Sequence, residues 1–265
     1  MERIDPLFRV EVVACTHPPA RAIWYGQHQC IAECFALDDP APSTEEACGA
    51  AIVRHLLPAG HWSPLEHATI TFNFGGFSHR IMQQFTRSRV GVSPSVQSFR
   101  YTGKRIAKLG NEVAHWLGDE REKYFWDAAP VWLDEEIERV EQLFYVRPVG
   151  HYYDRFGASI YYDEELRHAD ILDCLYQAYR YAQKVGMGMP AEQAAGALPM
   201  DTRQDWVATF NARSICGFFD RRTPADAQME IRQQCDLMWP HFESWLPSVA
   251  GWYRKNRWGK NKLAP

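Results

Sequence analysis

The chain has 265 residues, a formal net charge of -4, 46% apolar and 14% aromatic content, with ten tryptophans. This composition supports a packed core and excludes disorder. No run approaches the ~20 apolar residues of a membrane span, the start MERIDPLFRV lacks the basic and apolar parts of a signal peptide, and seven cysteines without a framework point to a reduced, cytoplasmic protein.

Phe8–Cys15 alternates at period two and predicts a strand. Apolar spacing from Ile23 to Phe35 predicts a helix. Ser43-Thr44-Glu45-Glu46 reads as a capping box, Ser43 as N-cap and Glu46 at the third position, opening a helix to about Leu57 that Pro58-Ala59-Gly60 ends. Ser63-Pro64-Leu65-Glu66 repeats the pattern with proline in the first turn. Ala68–Phe74 alternates as a strand, Gly75-Gly76 breaks it, and a helix carrying Phe77, Ile81, Met82 and Phe85 follows. Gly91–Ser95 reads as a loop.

From Lys108 to about Glu165 the chain is charged and aromatic with little periodicity, apart from a strand and turn over Phe144–Tyr153. Leu166–Val185 is helical by its spacing, and Gly186–Pro190 is a stop and restart. Trp206–Asn211 alternates before a helix from about Ser214 to Phe219. Thr223–Asp226 reads as the cap of a last long helix with Ile231, Cys235, Met238 and Phe242 on one face, kinked by Pro240. No repeat, low-complexity tract or linker interrupts the chain, so one α+β domain over residues 1–265 is expected.

Charge is distributed unevenly. After Glu66 the next carboxylate is Glu112, while Arg80, Arg87, Arg89, Arg100, Lys104, Arg105 and Lys108 lie between. Interleaved Phe85, Val90, Val92, Val96, Phe99 and Tyr101 fit a solvated basic face poorly. Guanidinium forks match phosphate oxygens bidentately. Arg87-Ser88-Arg89 beside a Gly/Ser/Pro loop offers forks, backbone N–H groups and hydroxyls around one concavity. That suits a phosphorylated small molecule better than a nucleic acid polymer, which needs a longer basic track and stacking platforms.

Arg87-Ser88-Arg89 followed by Val96-Gln97-Ser98-Phe99-Arg100-Tyr101 resembles the Arg-His-Arg-x7-Ser signature of flavin-dependent thymidylate synthases. His61-Trp62-Ser63-Pro64-Leu65-Glu66-His67 is similar to the segment before that signature. Asn211-Ala212-Arg213-Ser214 with Arg222 and Asp226–Ile231 is similar to the family's C-terminal block. The resemblance covers nearly the whole chain and is nearest to the branch that C5-methylates UMP as well as dUMP in polyoxin-type nucleoside antibiotic biosynthesis. It implies a mixed or antiparallel sheet packed with helices, FAD as cofactor, NADPH and methylenetetrahydrofolate as co-substrates, and a homotetramer with sites between subunits.

The same resemblance implies the site residues. His61, Ser63, Glu66, Arg87, Ser88, Arg89, Asn211, Arg213 and Gly217 would contact FAD. Gln84, Ser93, Val96, Gln97, Ser98, Arg100 and Tyr101 would hold the nucleotide, and Arg222 would bind the uracil edge and stabilise developing negative charge as the catalytic arginine. Read from the residues alone, Ser63 and Glu66 are a helix cap, His61 is a packing residue as readily as a contact, and Asn211 and Arg213 are ordinary strand-end groups. No Pro-Cys pair is present to serve as a classical thymidylate synthase nucleophile, Cys216 reads as a buried structural thiol, and no Cys/His spacing predicts a metal. The chain departs from the family pattern in Ser88 for histidine, one extra residue before Ser98, Ser95 and Val96 at the loop's acidic or Asn/Glu positions, Ala195 for a phosphate-binding arginine, and Gly217 for Asn or His. The readings to be separated are a methylase of UMP and dUMP, a strict dUMP methylase, and a non-catalytic nucleotide- or RNA-binding homologue.

Overall fold

The computed structural model describes residues 4–118, 125–153 and 156–260. In chain order these form β1 (Arg9–Cys15), α1 (Pro19–Gln29), α2 (Glu45–Ala51), β2 (Thr69–Ser78), α3 (His79–Thr86), β3 (Val92–Val96), α4 (Phe99–Thr102), α5 (Lys104–Leu117) and α6 (Phe125–Leu143). Then come β4 (Gly150–Tyr153), β5 (Ser159–Tyr162), α7 (Glu164–Gly186), α8 (Ala191–Ala194), β6 (Arg203–Asn211), α9 (Ala212–Arg222), α10 (Met229–Trp245) and α11 (Pro247–Asn256). The class is α+β, with antiparallel pairing and packed helices, as expected.

The chain forms two compact units. One comprises Met1–Gly75, Gln83–Ser95 and Trp206–Pro265, the other Gly76–Met82 and Val96–Asp205. The first holds β1 and most of β2, β6 and β3, in that order across a four-stranded sheet. β1 pairs antiparallel with β2. Thr71 and Thr209 join hydroxyls at 2.8 Å, and the Ala212 N–H donates to Ala68 O at 2.9 Å, so β2 and β6 also run in opposite directions. Period-two burial of Ile70, Phe72 and Phe74 drives one sheet face inward. Phe74 stacks on Trp206 at 5.2 Å, and Phe85 meets Phe210 and Phe218 edge-on or tilted, at 5.6 and 5.3 Å. Such ring pairs add ~0.5–1.5 kcal/mol each beyond the area they bury. α10 is tied to the sheet where His241 Nε2 meets Val10 O at 2.9 Å.

The second unit is mainly helical. Its core joins α5, α6 and α7 through Ile106, Leu109, Phe125, Leu133, Ile171, Leu175 and Tyr179, all 3% exposed or less. Asp163 caps α7 by accepting from the Leu166 N–H at 2.9 Å. β4 and β5 form an antiparallel hairpin, with Gly150 opposite Tyr162 and Tyr153 opposite Ser159. Among the described residues no helix is long and apolar enough to cross a membrane. All seven cysteines are free.

Several local expectations are corrected. α1 ends at Gln29, not Phe35, because Ile31 and Phe35 are 75% and 64% exposed and have no core to pack against. Thr44, not Ser43, caps α2, accepting from the Ala47 N–H at 3.1 Å. Glu45 instead accepts the Ala20 and Arg21 N–H groups, satisfying amides that the first turn of α1 leaves unpaired. β2 runs through Gly75-Gly76, since the neighbouring strand offers Gly75 a partner in Arg9. The expected loop at Gly91–Ser95 is mostly β3, drawn into the sheet by β6 and by burial of Val92. Thr223 does not cap α10: its hydroxyl donates to Phe219 O at 2.7 Å, closing α9, and α10 starts after Gln228 and is followed by α11.

Candidate functional site

In the first unit, the last turn of α3 runs straight into Arg87-Ser88-Arg89, the helix-end position expected for the pair. Ser88 is buried while Arg87 and Arg89 are exposed, so the two guanidinium groups leave the same short turn on either side of a buried serine. The next residue but one, Gly91, has φ +67°, a left-handed backbone that favours glycine. A Cβ there would lie 2.5 Å from Asn211 Nδ2 and 2.9 Å from Ser214 Cβ. That close approach is what lets Gly91 O accept both the Asn211 N–H, at 3.2 Å, and the Ser214 hydroxyl, at 2.7 Å. The arginine turn is thereby fastened to the start of α9.

Asn211 caps α9, its Oδ1 accepting from the Ser214 N–H at 2.8 Å. One residue into that helix, Arg213 donates to Glu66 at 2.7 Å across side chains that are 38% and 47% exposed. An exposed pair of this kind contributes little and opens readily. Ser63 makes no capping hydrogen bond in its short 3-10 turn, Ser63–His67, whose preceding residue is Trp62. The capping box expected of Ser63 and Glu66 does not form: Glu66 faces Arg213 instead. His61 and Ser63 are exposed, and Gly217 is buried in α9.

The far end of α9 returns to the same place. Arg222 donates to Gln84 O at 2.9 Å, and the Gln84 amide donates to Gln228 Oε1. Arg221 donates to the Ser88 hydroxyl at 3.4 Å. Arg222 Nε is enclosed with no acceptor among the described residues. Burial pulls the Arg222 guanidinium down from its ordinary value, and repulsion from Arg221 and Arg87 lowers it further, with Cys235 opposing. It nevertheless remains a cation. Among the described residues no carboxylate pairs with Arg87, Arg89, Arg221 or Arg222. One half-buried cation, Arg222, with three exposed ones around it and no counter-charge among the described residues, is an arrangement that can receive an anion or a developing negative charge. The sequence reading missed Arg221 and Gln228. The adjacent arginines Arg221-Arg222 at a helix end were the available signal for the first.

Folding divides the basic stretch. In the second unit Arg80 pairs with Asp201 at 2.5 Å, Arg100 approaches Glu192 at 4.0 Å, and Arg105 donates to Arg203 O beside Asp205. The acids absent from that stretch of sequence arrive there from more than ninety residues away, whereas Arg87 and Arg89 receive none among the described residues. Gln97 is also engaged, donating to Asp205 Oδ2 at 3.1 Å while its Oε1 accepts the Asp205 N–H at 3.2 Å. Ser98 opens α4 without a side-chain cap, Arg100 lies 5.7 Å over Tyr101, and Tyr101 is largely exposed. Val96 closes β3 half-buried, and Ser93 in the first unit is exposed on the same strand.

Cys216 is fully buried in α9, and burial first, then Asp220, pushes its thiol up, so it is held protonated rather than poised as a nucleophile. No cluster that could hold a metal occurs among the described residues.

A family profile described as thymidylate synthase complementing protein matches residues 11–248. A flavin-dependent thymidylate synthase of Haloarcula marismortui is 33% identical over 222 residues, covering 81% of this chain and 79% of its own length. The solved structure of the UMP/dUMP methylase PolB from Streptomyces cacaoi, bound with 5-Br dUMP, superposes with TM-score 0.67 at 18% identity over the full length of both chains. That of thymidylate synthase X from Helicobacter pylori, with FAD and dUMP, gives TM-score 0.63 at 16% identity, covering 92% of this chain and 98% of its own.

Proposed function

The chain belongs to the flavin-dependent thymidylate synthase family, and from this we propose that it is an FAD-dependent transferase that methylates C5 of a uridine monophosphate, accepting both UMP and dUMP. The observation that supports the reading is the set Arg87, Arg89, Arg221 and Arg222, gathered by α3 and α9 without a carboxylate partner among the described residues. Such a set fits the phosphates of FAD and the charge of a pyrimidine under attack. When bound, the reduced flavin supplies the electrons, with NADPH as reductant and methylenetetrahydrofolate as one-carbon donor.

Arg87 and Arg89 would hold FAD phosphate oxygens by forked, charge-assisted bonds, Ser88 keeping the turn between them folded inward. Asn211, Arg213, Glu66, Ser63, His61 and Gly217 would complete the flavin contacts, Arg213 and Glu66 exchanging their mutual pairing for the ligand. Arg222, oriented by Gln84 O, would donate to the uracil edge. Gln84, Ser93, Val96, Gln97, Ser98, Arg100 and Tyr101 are the nucleotide contacts that the family pattern implies. Cytoplasmic action within a polyoxin-type nucleoside antibiotic pathway is the setting this reading implies.

Acceptance of UMP follows from the small side chains of the nucleotide segment. Ser93, Ser95 and Ser98 leave room for a 2′-hydroxyl and can pair with it. A pocket that is not closed around an added hydroxyl rejects it by no more than ~100-fold. Incubating each nucleotide with enzyme, FAD, NADPH and methylenetetrahydrofolate, with product mass as readout, should show both methylated, within about a hundredfold in specificity constant. Methylation of dUMP alone would make this a strict thymidylate synthase, and a colourless protein that binds nucleotide without FAD would make it a non-catalytic homologue.

Three ligands are more than the clefts of one chain of 265 residues ordinarily enclose, so the enzyme is expected to work as a homotetramer with sites between subunits. Light scattering should return about four chain masses. Tight FAD binding by a monomer would exclude this arrangement.

A further inference from the structure

A second feature of the first unit lies beside the turn that carries His61, Ser63 and Glu66. α1 approaches this turn so closely that a Cβ on Gly26 would meet the His67 ring at 2.3 Å and 2.8 Å. The residues flanking Gly26 on α1, namely Trp24, Gln27, His28 and Ile31 beyond it, line a cavity of about 520 Å³ together with His55 and His61. The volume falls within the range of small-molecule and cofactor sites.

The lining is specific in its chemistry. Trp24 and His28 stack at 4.4 Å with their planes 15° apart, and His28 Nε2 is fixed by Asp39 Oδ2 at 2.8 Å, so a flat aromatic surface is held in place at one wall. Gln27 Oε1 is enclosed and accepts no hydrogen bond among the described residues. An unmet buried acceptor is costly, and an N–H donor delivered through the cavity would remove the cost after a turn of the terminal amide. No lysine or arginine lines the cavity, so it is not built for phosphate or for a carboxylate tail.

We propose that this cavity takes the amino-substituted planar ring of a heterocyclic cofactor, stacked against the Trp24–His28 wall and donating an N–H to Gln27. Two sources present that chemistry to the enzyme: the pterin of the folate and the adenine of a dinucleotide. The choice of these two rests on the function proposed above, while the ring class rests on the cavity.

The test uses full-length, FAD-loaded protein. Dissociation constants for tetrahydrofolate and NADPH are measured by calorimetry, and FAD retention by absorbance, in wild type, Gln27→Leu and Trp24→Leu. Gln27→Leu removes an unpaired buried acceptor, so it should melt at or above the wild-type temperature, and a loss of binding cannot then be a loss of folding. One ligand should weaken about tenfold or more in both variants, with the others within about twofold. Weakened tetrahydrofolate binding identifies the pterin as occupant, and weakened NADPH binding or FAD retention identifies the adenine. Wild-type binding of all three ligands by both variants overturns the cavity assignment and leaves the proposed function standing. A wild-type protein that binds neither FAD nor tetrahydrofolate overturns both.

Discussion

Arg222→Ala should retain FAD and lose methylation by about 10²–10³ in kcat, the usual consequence of removing one pre-aimed donor from a site where charge develops. The guanidinium is half-buried, braced by Gln84 O at 2.9 Å, and crowded by Arg221 and Arg87. Those constraints leave donors oriented and unsatisfied, Nε among them, so little reorganisation is needed when negative charge appears on the pyrimidine. Arg87→Ala and Arg89→Ala should behave in the opposite sense. Each is exposed, lies on the turn fastened by Gly91, and would lose a charge-assisted phosphate bond, about 1.5–3 kcal/mol of FAD affinity. Flavin absorbance after gel filtration, measured beside product formation, separates the two classes. Near-normal turnover of Arg222→Ala, or full FAD retention by both other variants, would show that the family roles do not transfer to these positions.

Arg257→Ala should destabilise the fold by about 3–5 kcal/mol, the range for stranding one member of a buried ion pair. Asp220 sits on α9 with a fully buried side chain and accepts from Arg257 Nε at 3.1 Å, from Arg257 Nη2 at 2.7 Å and from the Tyr253 hydroxyl at 2.7 Å. Arg257 also lies 5.4 Å over the Trp62 ring, next to Ser63. Without Arg257 the carboxylate keeps, among the described residues, the Tyr253 hydroxyl as donor, and must stay charged in a dry environment or take up a proton. At about 2–4 °C per kcal/mol for a chain of this size, the melting point should fall by roughly 6–20 °C, measured with FAD at constant saturation because ligand binding shifts apparent stability. Arg257→Lys should recover part of the loss, since a single ammonium cannot reproduce the two-pronged contact. A fall of less than about 2 °C would mean that the α9 anchor lies elsewhere. The pair matters to the site because α9 carries Arg213, Arg221 and Arg222 on one rigid element.

Secondary structure was legible wherever burial followed a regular period. Ile70, Phe72 and Phe74 announce β2, and Ile231, Cys235, Met238 and Phe242 announce α10, all with fully buried side chains. Errors clustered where a partner from elsewhere in the chain decided the outcome. Gly75-Gly76 ends a strand in isolation, yet continues one when Arg9 lies opposite. Ser63 and Glu66 spell a capping box, yet Glu66 meets Arg213, 147 residues later. β4 falls at the end of the strand and turn expected over Phe144–Tyr153, whereas α6 and β5 lie where charge and aromatics hide any period.

By itself the sequence determined the α+β class, the helix-end position of Arg87-Ser88-Arg89 and the family pattern of its three motif blocks, because periodicity, turn chemistry and residue type are local properties. Only the tertiary structure decided which cations remain without counter-charges. Asp201, Glu192 and Asp205 come to Arg80, Arg100 and Arg105 from distant positions, and none comes to Arg87, Arg89, Arg221 or Arg222 among the described residues. Coulomb interactions depend on distance in space and on burial, and neither can be read from spacing along the chain.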